Sequence, residues 1–336
     1  MTTSRTARTF HLTARPSGFP TPGLFALVDS PVPAPGPGEA LVENLQLSVD
    51  PYHREEMDGG WELNTPLEGR AIGRVTASRD PGLAEGDLVF HRHGWRTHAL
   101  VTAGVLGTRR LPSYQGVPPA AHLSILGGTG LTAYAALTRT LEFRAGQDLF
   151  VSAAAGGVGT AVGRIARLLG ARRIVGSAGS AAKVARLTAD IGFDAAFDYH
   201  DGPFGELLAK AAPDGIDAAV DNVGGDQLAG AISAMREHGR IAWVGAIAQY
   251  HSAGRPPAAP RNLYAVVEKS LRLEGVLVRN HRDAQSELED FLVPHLQSGR
   301  IAPDITVLDG IERAVDGFLG MLRGENTGKM LIRTGE

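Results

Sequence analysis

The sequence predicts an α/β fold in which a doubly wound parallel sheet accompanies a smaller, barrel-like β-rich domain. Residues 1–125 contain several short apolar runs with glycine and proline at their corners, a texture typical of a small barrel. From 126 to 299, strand-like runs alternate with segments of helical periodicity, which favours parallel strands with helices on both faces. We expect the tail, 300–336, to return to the first domain.

Five strands are predicted in the first domain from β-prone apolar residues. They lie at Phe10–Leu12, Phe25–Val28, Glu39–Ser48, Ala71–Thr76 and, after a turn, within Leu83–Phe90. A proline-dense connector, Pro31–Gly38, separates the second strand from the third.

The second domain is predicted to begin with a helix over Leu131–Leu141, where apolar residues recur at helical spacing. Its predicted strands are Leu149–Ser152, Arg173–Ser177, Ala195–Tyr199, Ile216–Asp221, Arg240–Gly245 and Arg272–Val278. The helices between them are Thr160–Leu169, Ala181–Ile191, Gly205–Ala212, Gln227–Met235 and Leu263–Ser270. The tail is predicted as a strand at Asp304–Leu308, a helix at Ile311–Arg323 and a strand at Gly328–Arg333.

One stretch of the second domain carries the main functional signal. The strand ending at Ser152 leads into the turn Ala153-x-x-Gly156-x-x-Gly159 and then into a helix. Small residues let the backbone approach a pyrophosphate, and the helix N-terminus offers N–H groups and a positive dipole end. This order is half of a dinucleotide-binding unit. An ordinary βα turn that binds no ligand is the alternative interpretation.

The end of the second strand of this unit indicates which nucleotide binds. An NAD-preferring fold places a carboxylate there, on the ribose 2′-OH. Here the stretch 172–189 has no acid, whereas Ser177, Ser180 and Lys183 can meet a phosphate. We therefore predict NADPH as the cofactor; the alternative is that Lys183 is simply a solvated helix residue.

Composition excludes several classes of function. The chain has no cysteine, so it forms no disulfide, thiolate metal site or cysteine nucleophile. The net charge is −3, and acidic and basic residues are interspersed, so the sequence does not predict a basic surface that binds nucleic acid or an anionic membrane. No apolar run has the length of a membrane span or the form of a secretory signal, so we expect a cytoplasmic protein.

Taken together, the motifs resemble those of a known family over nearly the whole chain. The segments that carry the likeness are Leu47–Tyr52, Val151–Gly159, Gly179-Ser180-x-x-Lys183, Asp221–Gly225, Gly245–Tyr250 and Asn326–Lys329. The chain resembles the zinc-independent medium-chain dehydrogenase/reductases, in the prostaglandin reductase and alkenal double-bond reductase branch. The resemblance implies a Rossmann domain joined to a GroES-like domain, and NADPH-dependent reduction of a C=C bond conjugated to a carbonyl.

The same resemblance implies a set of site residues. The cofactor-binding residues would be Ala154, Gly156, Gly157, Val158, Gly159, Ser177, Gly179, Ser180, Lys183, Tyr199, Asn222, Gly245, Ile247, Tyr250 and Asn326. Within this set, Lys183 and Tyr199 match residues near the 2′-phosphate, and Asn326 matches one on the nicotinamide side.

Two tyrosines are the predicted catalytic residues. By resemblance, Tyr250 lies by the nicotinamide ribose and the substrate carbonyl, and Tyr52 lines the substrate pocket. Hydride addition to the β-carbon gives an enolate, so a preplaced O–H donor stabilises the transition state, by ~3 kcal/mol for one donor. A tyrosine with an ordinary pKa near 10 is protonated at neutral pH and can donate. The alternative for both is ordinary aromatic packing.

The substrate-side segments depart from the family pattern. Where the family reads P-Y-M-R-G-R-M, this chain has Pro51–Met57 as PYHREEM, and His91–Trp95 replaces a glycine-rich stretch. A more polar or reshaped pocket is therefore expected. Three other functions stay open: a reductive cyclase acting on a conjugated polyene or enone, a quinone reductase, and a non-catalytic NADPH-binding protein.

Metal binding and oligomerisation complete the expectations. His91, His93 and His98 are possible zinc ligands by residue type. However, the zinc-dependent relatives use a cysteine that this chain lacks, so we expect no metal. By resemblance the chain forms a homodimer, joined at the edge strand Leu271–Val278.

Overall fold

The computed structural model describes residues 6–250 and 259–335, which form two compact units. Within those ranges, the first unit contains residues up to 123 and from 305 onward, and the second contains residues 124–304. The predicted fold class is confirmed, because one unit is rich in antiparallel strands and the other is built on a parallel sheet.

The strands of the first unit up to residue 110 pair antiparallel in two sheets. Its elements are β1 (Thr6–Leu12), β2 (Phe25–Pro31), β3 (Ala40–Ser48), α1 (His53–Glu55), β4 (Ala71–Ser78), β5 (Leu88–His91), β6 (His98–Val101) and β7 (Arg109–Arg110). β1 pairs with β2, while β3, β4, β5 and β7 follow one another in a second sheet and β6 pairs with β3. All five predicted strands are present. β6 and β7 were not predicted, since each is short and β6 follows a stretch rich in histidine and arginine.

The second unit alternates strands and helices. Its elements are α2 (Gly128–Ala135), β8 (Asp148–Val151), α3 (Gly157–Leu168), β9 (Arg173–Ala178), α4 (Ala181–Arg186), β10 (Ala195–Asp198), α5 (Phe204–Ala211), β11 (Ile216–Asp221), α6 (Gly225–Ala234), β12 (Met235–Trp243), α7 (Tyr264–Glu268), β13 (Arg272–Gly275) and α8 (Gln285–Gln297). α2 and α4 each continue into a π-helical turn, 136–140 and 187–191, and so fill the longer helices that the periodicity predicts. α8 was not predicted; it contains Pro294, which breaks the pattern typical of a helix.

The parallel sheet has the order β10-β9-β8-β11-β12-β13. The chain starts in the middle at β8, runs outward through β9 and β10, and returns to the other side of β8 with β11. The strand order thus reverses between β8 and β11. In doubly wound sheets a ligand binds beyond the carboxyl ends of the strands at such a reversal.

Apolar burial explains why these strands could be predicted. All four residues of β8 are buried, and Phe150 packs in one cluster with Val175, Ile216 and Ile241 from neighbouring strands. A fully buried phenylalanine side chain contributes roughly 2–3 kcal/mol. A sheet covered on both faces therefore gives continuous apolar runs in the sequence.

The tail adds strands to the first unit. It forms β14 (Ile305–Asp309), α9 (Ala314–Leu322) and β15 (Lys329–Arg333). β14 pairs in parallel with β15, and β15 pairs antiparallel with β3. The second sheet of this unit therefore has the order β14-β15-β3-β4-β5-β7. In the part of the chain that the structure describes, no helix is long and apolar enough to cross a membrane.

Candidate functional site

The turn between β8 and α3 is held by backbone contacts that require small residues. Ala153 adopts a left-handed φ of +47°. The Ala154 N–H donates to the Ser177 carbonyl at 2.8 Å, and the Gly156 N–H donates to the Ala153 carbonyl at 3.0 Å. A Cβ at Gly159 would lie 2.5 Å from the Ala154 carbonyl oxygen, a distance that real Cβ atoms do not show. Only glycine therefore fits there.

The N-terminus of α3 is left without a side-chain cap. Gly156 precedes this twelve-residue helix in an extended conformation, and as the cap residue it supplies no side-chain hydrogen bond to the first N–H groups. Uncapped N–H groups and the positive dipole end are the features that bind a pyrophosphate. The predicted residues Gly157 and Val158 form this first turn.

A buried polar network joins the ends of β8 and β11. The Ser152 hydroxyl donates to Asp221 Oδ1 at 2.7 Å and accepts the Asn222 N–H at 2.8 Å. The Asn222 side-chain amide donates to the Ser152 carbonyl at 2.8 Å, and the Gly224 N–H donates to Asp221 Oδ2 at 2.7 Å. Burial raises the pKa of Asp221, although the hydrogen bonds from Ser152 and the backbone oppose that rise.

This network fixes the loop that carries the predicted Asn222. Sequence analysis gave no role to Ser152 or Asp221. The signal that could have found them is a polar residue at the end of each of two buried strands, since such residues meet at one edge of a parallel sheet.

The loop after β12 packs on the loop after β11. The Ile247 N–H donates to the Asn222 carbonyl at 3.3 Å, and a Cβ at Gly245 would approach that same oxygen at 3.1 Å. Ile247 begins a short 3-10 turn, and the Tyr250 N–H donates to the Ile247 carbonyl at 3.2 Å. The structure therefore brings Asn222, Gly245 and Ile247 together, with Tyr250 half-buried at the end of the turn.

The predicted phosphate-binding residues divide into two environments. Ser177 is fully buried, and its hydroxyl donates to Gln227 Oε1 at 2.8 Å inside the unit. Ser180 instead caps α4, its hydroxyl accepting the Lys183 N–H at 3.3 Å. Partial burial lowers the pKa of Lys183 from its ordinary value.

Tyr199 lies against the same turn as Ser180. Its ring would be 3.1 Å from a Cβ at Gly179, so a side chain at that position would press on the ring. Burial, and secondly the charge of Asp198, raise the pKa of the Tyr199 hydroxyl. The ends of β9 and β10 thus bring together Gly179, Ser180 and Tyr199, at the start of the helix that carries Lys183.

In the first unit, Tyr52 is surrounded by charged and aromatic side chains. Its hydroxyl donates to Glu68 Oε2 at 3.2 Å, and Arg92 Nε donates to Glu68 Oε1 at 2.5 Å. The Arg70 guanidinium lies 5.0 Å from the centre of the Tyr52 ring, and the His53 ring lies 4.4 Å away. Burial, followed by the negative charges of Asp50 and Glu68, raises the pKa of Tyr52, which keeps the phenol protonated.

A buried ion pair lies behind Tyr52. Lys329 Nζ donates to Asp50 Oδ1 at 2.8 Å and to the Val49 carbonyl at 2.5 Å. Arg70 Nη1 lies 3.2 Å from Asp50 Oδ1, and the Ser48 hydroxyl donates to Asp50 Oδ2 at 2.5 Å. Burial alone would raise the pKa of Asp50, but the Lys329 and Arg70 charges lower it.

Asn326 lies three residues before Lys329 and is buried. Its side-chain amide donates to the Gly328 carbonyl at 2.7 Å, which fixes the turn into β15. The contact between Lys329 and Asp50 therefore links the segment of Asn326 to the segment of Tyr52 within the first unit.

Two of the histidines are neutral structural residues. His53 Nδ1 accepts the Asp50 N–H at 3.3 Å. His91 Nδ1 accepts the His93 N–H at 3.1 Å, and its Nε2 bonds Asn44 Oδ1 at 2.8 Å. Burial lowers the pKa of both His53 and His91 to about 3, so neither is charged at neutral pH.

Both ring nitrogens of His91 therefore take part in hydrogen bonds within the protein. His98 Nδ1 lies 3.0 Å from the Thr97 hydroxyl. Among residues 6–250 and 259–335, no group of three or more histidine, aspartate or glutamate side chains is placed to hold a metal ion.

Comparison with known proteins gives matches in both units. A family model described as the N-terminal domain of oxidoreductase matches residues 8–107, and one described as zinc-binding dehydrogenase matches residues 157–294. Prostaglandin reductase 1 of Rattus norvegicus is 36% identical, covering 97% of this chain and 99% of its own length. The 2-alkenal reductase (NADP(+)-dependent) of Nicotiana tabacum is 34% identical over 88% of both chains.

Two further relatives extend the likeness. The NADPH-dependent curcumin reductase of Escherichia coli is 33% identical, covering 97% of this chain and 96% of its own. The solved structure of CurA from Vibrio vulnificus in complex with NADPH superposes with a TM-score of 0.91 at 30% identity, covering 98% of this chain and 99% of that one. The chain therefore belongs to the zinc-independent medium-chain dehydrogenase/reductases, in the prostaglandin reductase and alkenal double-bond reductase branch, a family of NADPH-dependent oxidoreductases.

Proposed function

We propose that this chain reduces the C=C bond of α,β-unsaturated ketones and aldehydes. The observation that carries the proposal is the match over nearly the whole chain to reductases that include a 2-alkenal reductase, whose named substrate is an aldehyde conjugated to a C=C bond. NADPH supplies a hydride, which adds to the β-carbon and leaves negative charge on the carbonyl oxygen. The enolate is then protonated at the α-carbon.

The residues present fit this cofactor. The turn of Gly159 has no room for a side chain, and the uncapped N-terminus of α3 suits a pyrophosphate. We assign binding of the 2′-phosphate to the side chains of Ser180, Lys183 and Tyr199, and to the backbone of Gly179 next to them. Ser177 would support this site without touching the phosphate, since its hydroxyl already donates to Gln227.

On the acceptor side, we assign the enolate oxygen to Tyr250 and the wall of the pocket to Tyr52. A protonated phenol donates to an oxygen that gains negative charge, and this interaction is stronger in the transition state than in the ground state. Asn326 would hold the nicotinamide side, in a position fixed by its own bond to Gly328.

A homodimer is part of the same proposal. β13 is the outer strand of the parallel sheet, and strand edges are commonly paired. Apolar side chains just before and just after β13 in the sequence are exposed: the exposed fraction is 69% for Tyr264, 68% for Val267 and 47% for Leu277. We propose that a second copy of the chain covers them. The cytoplasmic location stays a prediction from the sequence.

Replacing Lys183 by alanine removes a charge from the proposed phosphate site. A charge-assisted hydrogen bond contributes about 1.5–3 kcal/mol, so the Kd for NADPH should rise at least ~10-fold while the Kd for NADH is unchanged. Fluorescence titration with both nucleotides measures this. Lys210→Ala, on the exposed side of α5, is the matched control. Equal NADPH binding by the parent and Lys183→Ala would remove Lys183 from the site.

Replacing Tyr250 by phenylalanine removes the proposed enolate donor. With 3-nonen-2-one and NADPH, kcat should fall about 10²-fold or more with little change in the Kd for NADPH. Mass spectrometry of the parent reaction should find a ketone heavier by two hydrogens, with no new ring. Parent-like turnover by Tyr250→Phe would exclude this role, and parallel reactions with a quinone and a conjugated polyene test the other two activities.

The dimer is tested by Val267→Glu, which places a charge in the proposed interface. Light scattering should give twice the chain mass for the parent and a monomer mass for the variant. Val105→Glu, at an exposed valine of the first unit, should stay dimeric. A parent monomer at micromolar concentration would contradict the dimer.

A further inference from the structure

The hydroxyl of Tyr52 already has a partner that accepts its proton. A carboxylate carries no hydrogen, so in the 3.2 Å contact between the Tyr52 oxygen and Glu68 Oε2 the phenol is the donor. A phenol has one proton. While that proton is donated to Glu68, Tyr52 cannot donate it to a substrate oxygen.

The two hydrogen bonds of Glu68 are unequal. Its Oε1 accepts from Arg92 Nε at 2.5 Å, a short contact between opposite charges. Its bond from Tyr52 is 3.2 Å, longer than the ~2.5–2.7 Å typical of an O–H donor on a carboxylate. Arg92 therefore anchors Glu68, and the Tyr52 bond is the one that breaks more easily.

The Tyr52 ring is held by other groups, independently of Glu68. The Arg70 guanidinium lies 5.0 Å from the ring centre and is itself fixed 3.2 Å from Asp50. The ring of His53 packs against it from a second direction. The hydroxyl can therefore change its hydrogen-bond partner while the ring stays in place.

We propose that Glu68, anchored by Arg92, is a positioning residue that acts through Tyr52, because it competes with the substrate carbonyl for the proton of Tyr52. This inference rests on the proposed function, in which Tyr52 lines the acceptor pocket, and it adds a hydrogen bond from the Tyr52 phenol to the substrate oxygen, which can accept more than one hydrogen bond. A carbonyl oxygen that gains negative charge during hydride addition is a strong enough acceptor to displace the long bond to Glu68. An oxygen that accepts more weakly than Glu68 leaves that bond in place, so Glu68 sets how much of the Tyr52 hydrogen bond a substrate gains.

Glutamine at position 68 tests the competition because it has the size of glutamate and can donate a hydrogen bond to Tyr52 instead of accepting one. The Glu68→Gln amide can donate to the Tyr52 oxygen, which leaves the phenol proton for the substrate. We expect kcat/KM for 3-nonen-2-one to rise about five- to tenfold, the scale of one typical hydrogen bond, because the bond to Glu68 is long. The Kd for NADPH should not change.

Two controls separate the effect from a general change in charge. Glu62→Gln removes the same charge at an exposed site nearby in the sequence and should leave all constants unchanged. In a Tyr52→Phe background, Glu68→Gln should have no effect, because no phenol proton remains to compete for. An equal rise in kcat/KM with and without Tyr52, or no rise at all, would overturn the proposal.

A readout without turnover keeps this inference distinct from the proposed function. In protein labelled with 3-fluorotyrosine, the ¹⁹F resonance that is lost in Tyr52→Phe identifies Tyr52. It should shift in Glu68→Gln and not in Glu62→Gln; an unmoved resonance would overturn the contact. A shifted resonance in a protein that reduces no enone with NADPH would uphold the contact and contradict the proposed function instead.

Discussion

The buried ion pair between Asp50 and Lys329 is the contact on which the surroundings of Tyr52 in the first unit depend. The two residues are 279 positions apart, and both are almost fully buried. Burying a charge costs several kcal/mol, so such a pair is stable only when its remaining hydrogen-bonding capacity is used. Here Ser48, Arg70 and the Val49 carbonyl supply the remaining partners. The pair thereby couples the turn of Asn326 to the loop of Tyr52, and through Arg70 it fixes the Tyr52 ring.

The second unit positions its candidate site mainly with backbone. At the reversal of strand order, Gly159 lets the start of α3 pack closely against the carbonyl groups of Ala153 and Ala154. The hydrogen bond between Ser152 and Asp221 joins the ends of β8 and β11. These contacts leave the N-terminus of α3 uncapped. Lys183, which we propose binds the 2′-phosphate that distinguishes NADPH from NADH, lies on a separate helix, α4. In the proposed site, binding of the common dinucleotide and selection of NADPH therefore depend on different elements of this unit.

Local patterns predicted the fold and the dinucleotide turn, because buried parallel strands such as β8 have continuous apolar sequences and the turn needs small residues. The same patterns missed β6 and β7, which are too short for a periodicity, and α8, whose Pro294 is atypical of a helix interior. Long-range partners could not be predicted at all. The hydrogen bond from the Ser177 hydroxyl to Gln227 joins residues fifty positions apart, and no local pattern indicates it. The Glu68 partner of Tyr52 likewise depends on how β4 follows the loop after β3.

The central claim is that hydride from NADPH reaches the β-carbon of a conjugated carbonyl compound. The most direct test is the reaction of 3-nonen-2-one with NADPH deuterated at C4 of the nicotinamide, in separate 4R and 4S forms, followed by NMR of the product. We predict 2-nonanone with one deuterium at its C4, from one of the two forms only, and with a solvent proton at C3. Deuterium at C2 of an allylic alcohol, or a product without deuterium from either form, would contradict the account.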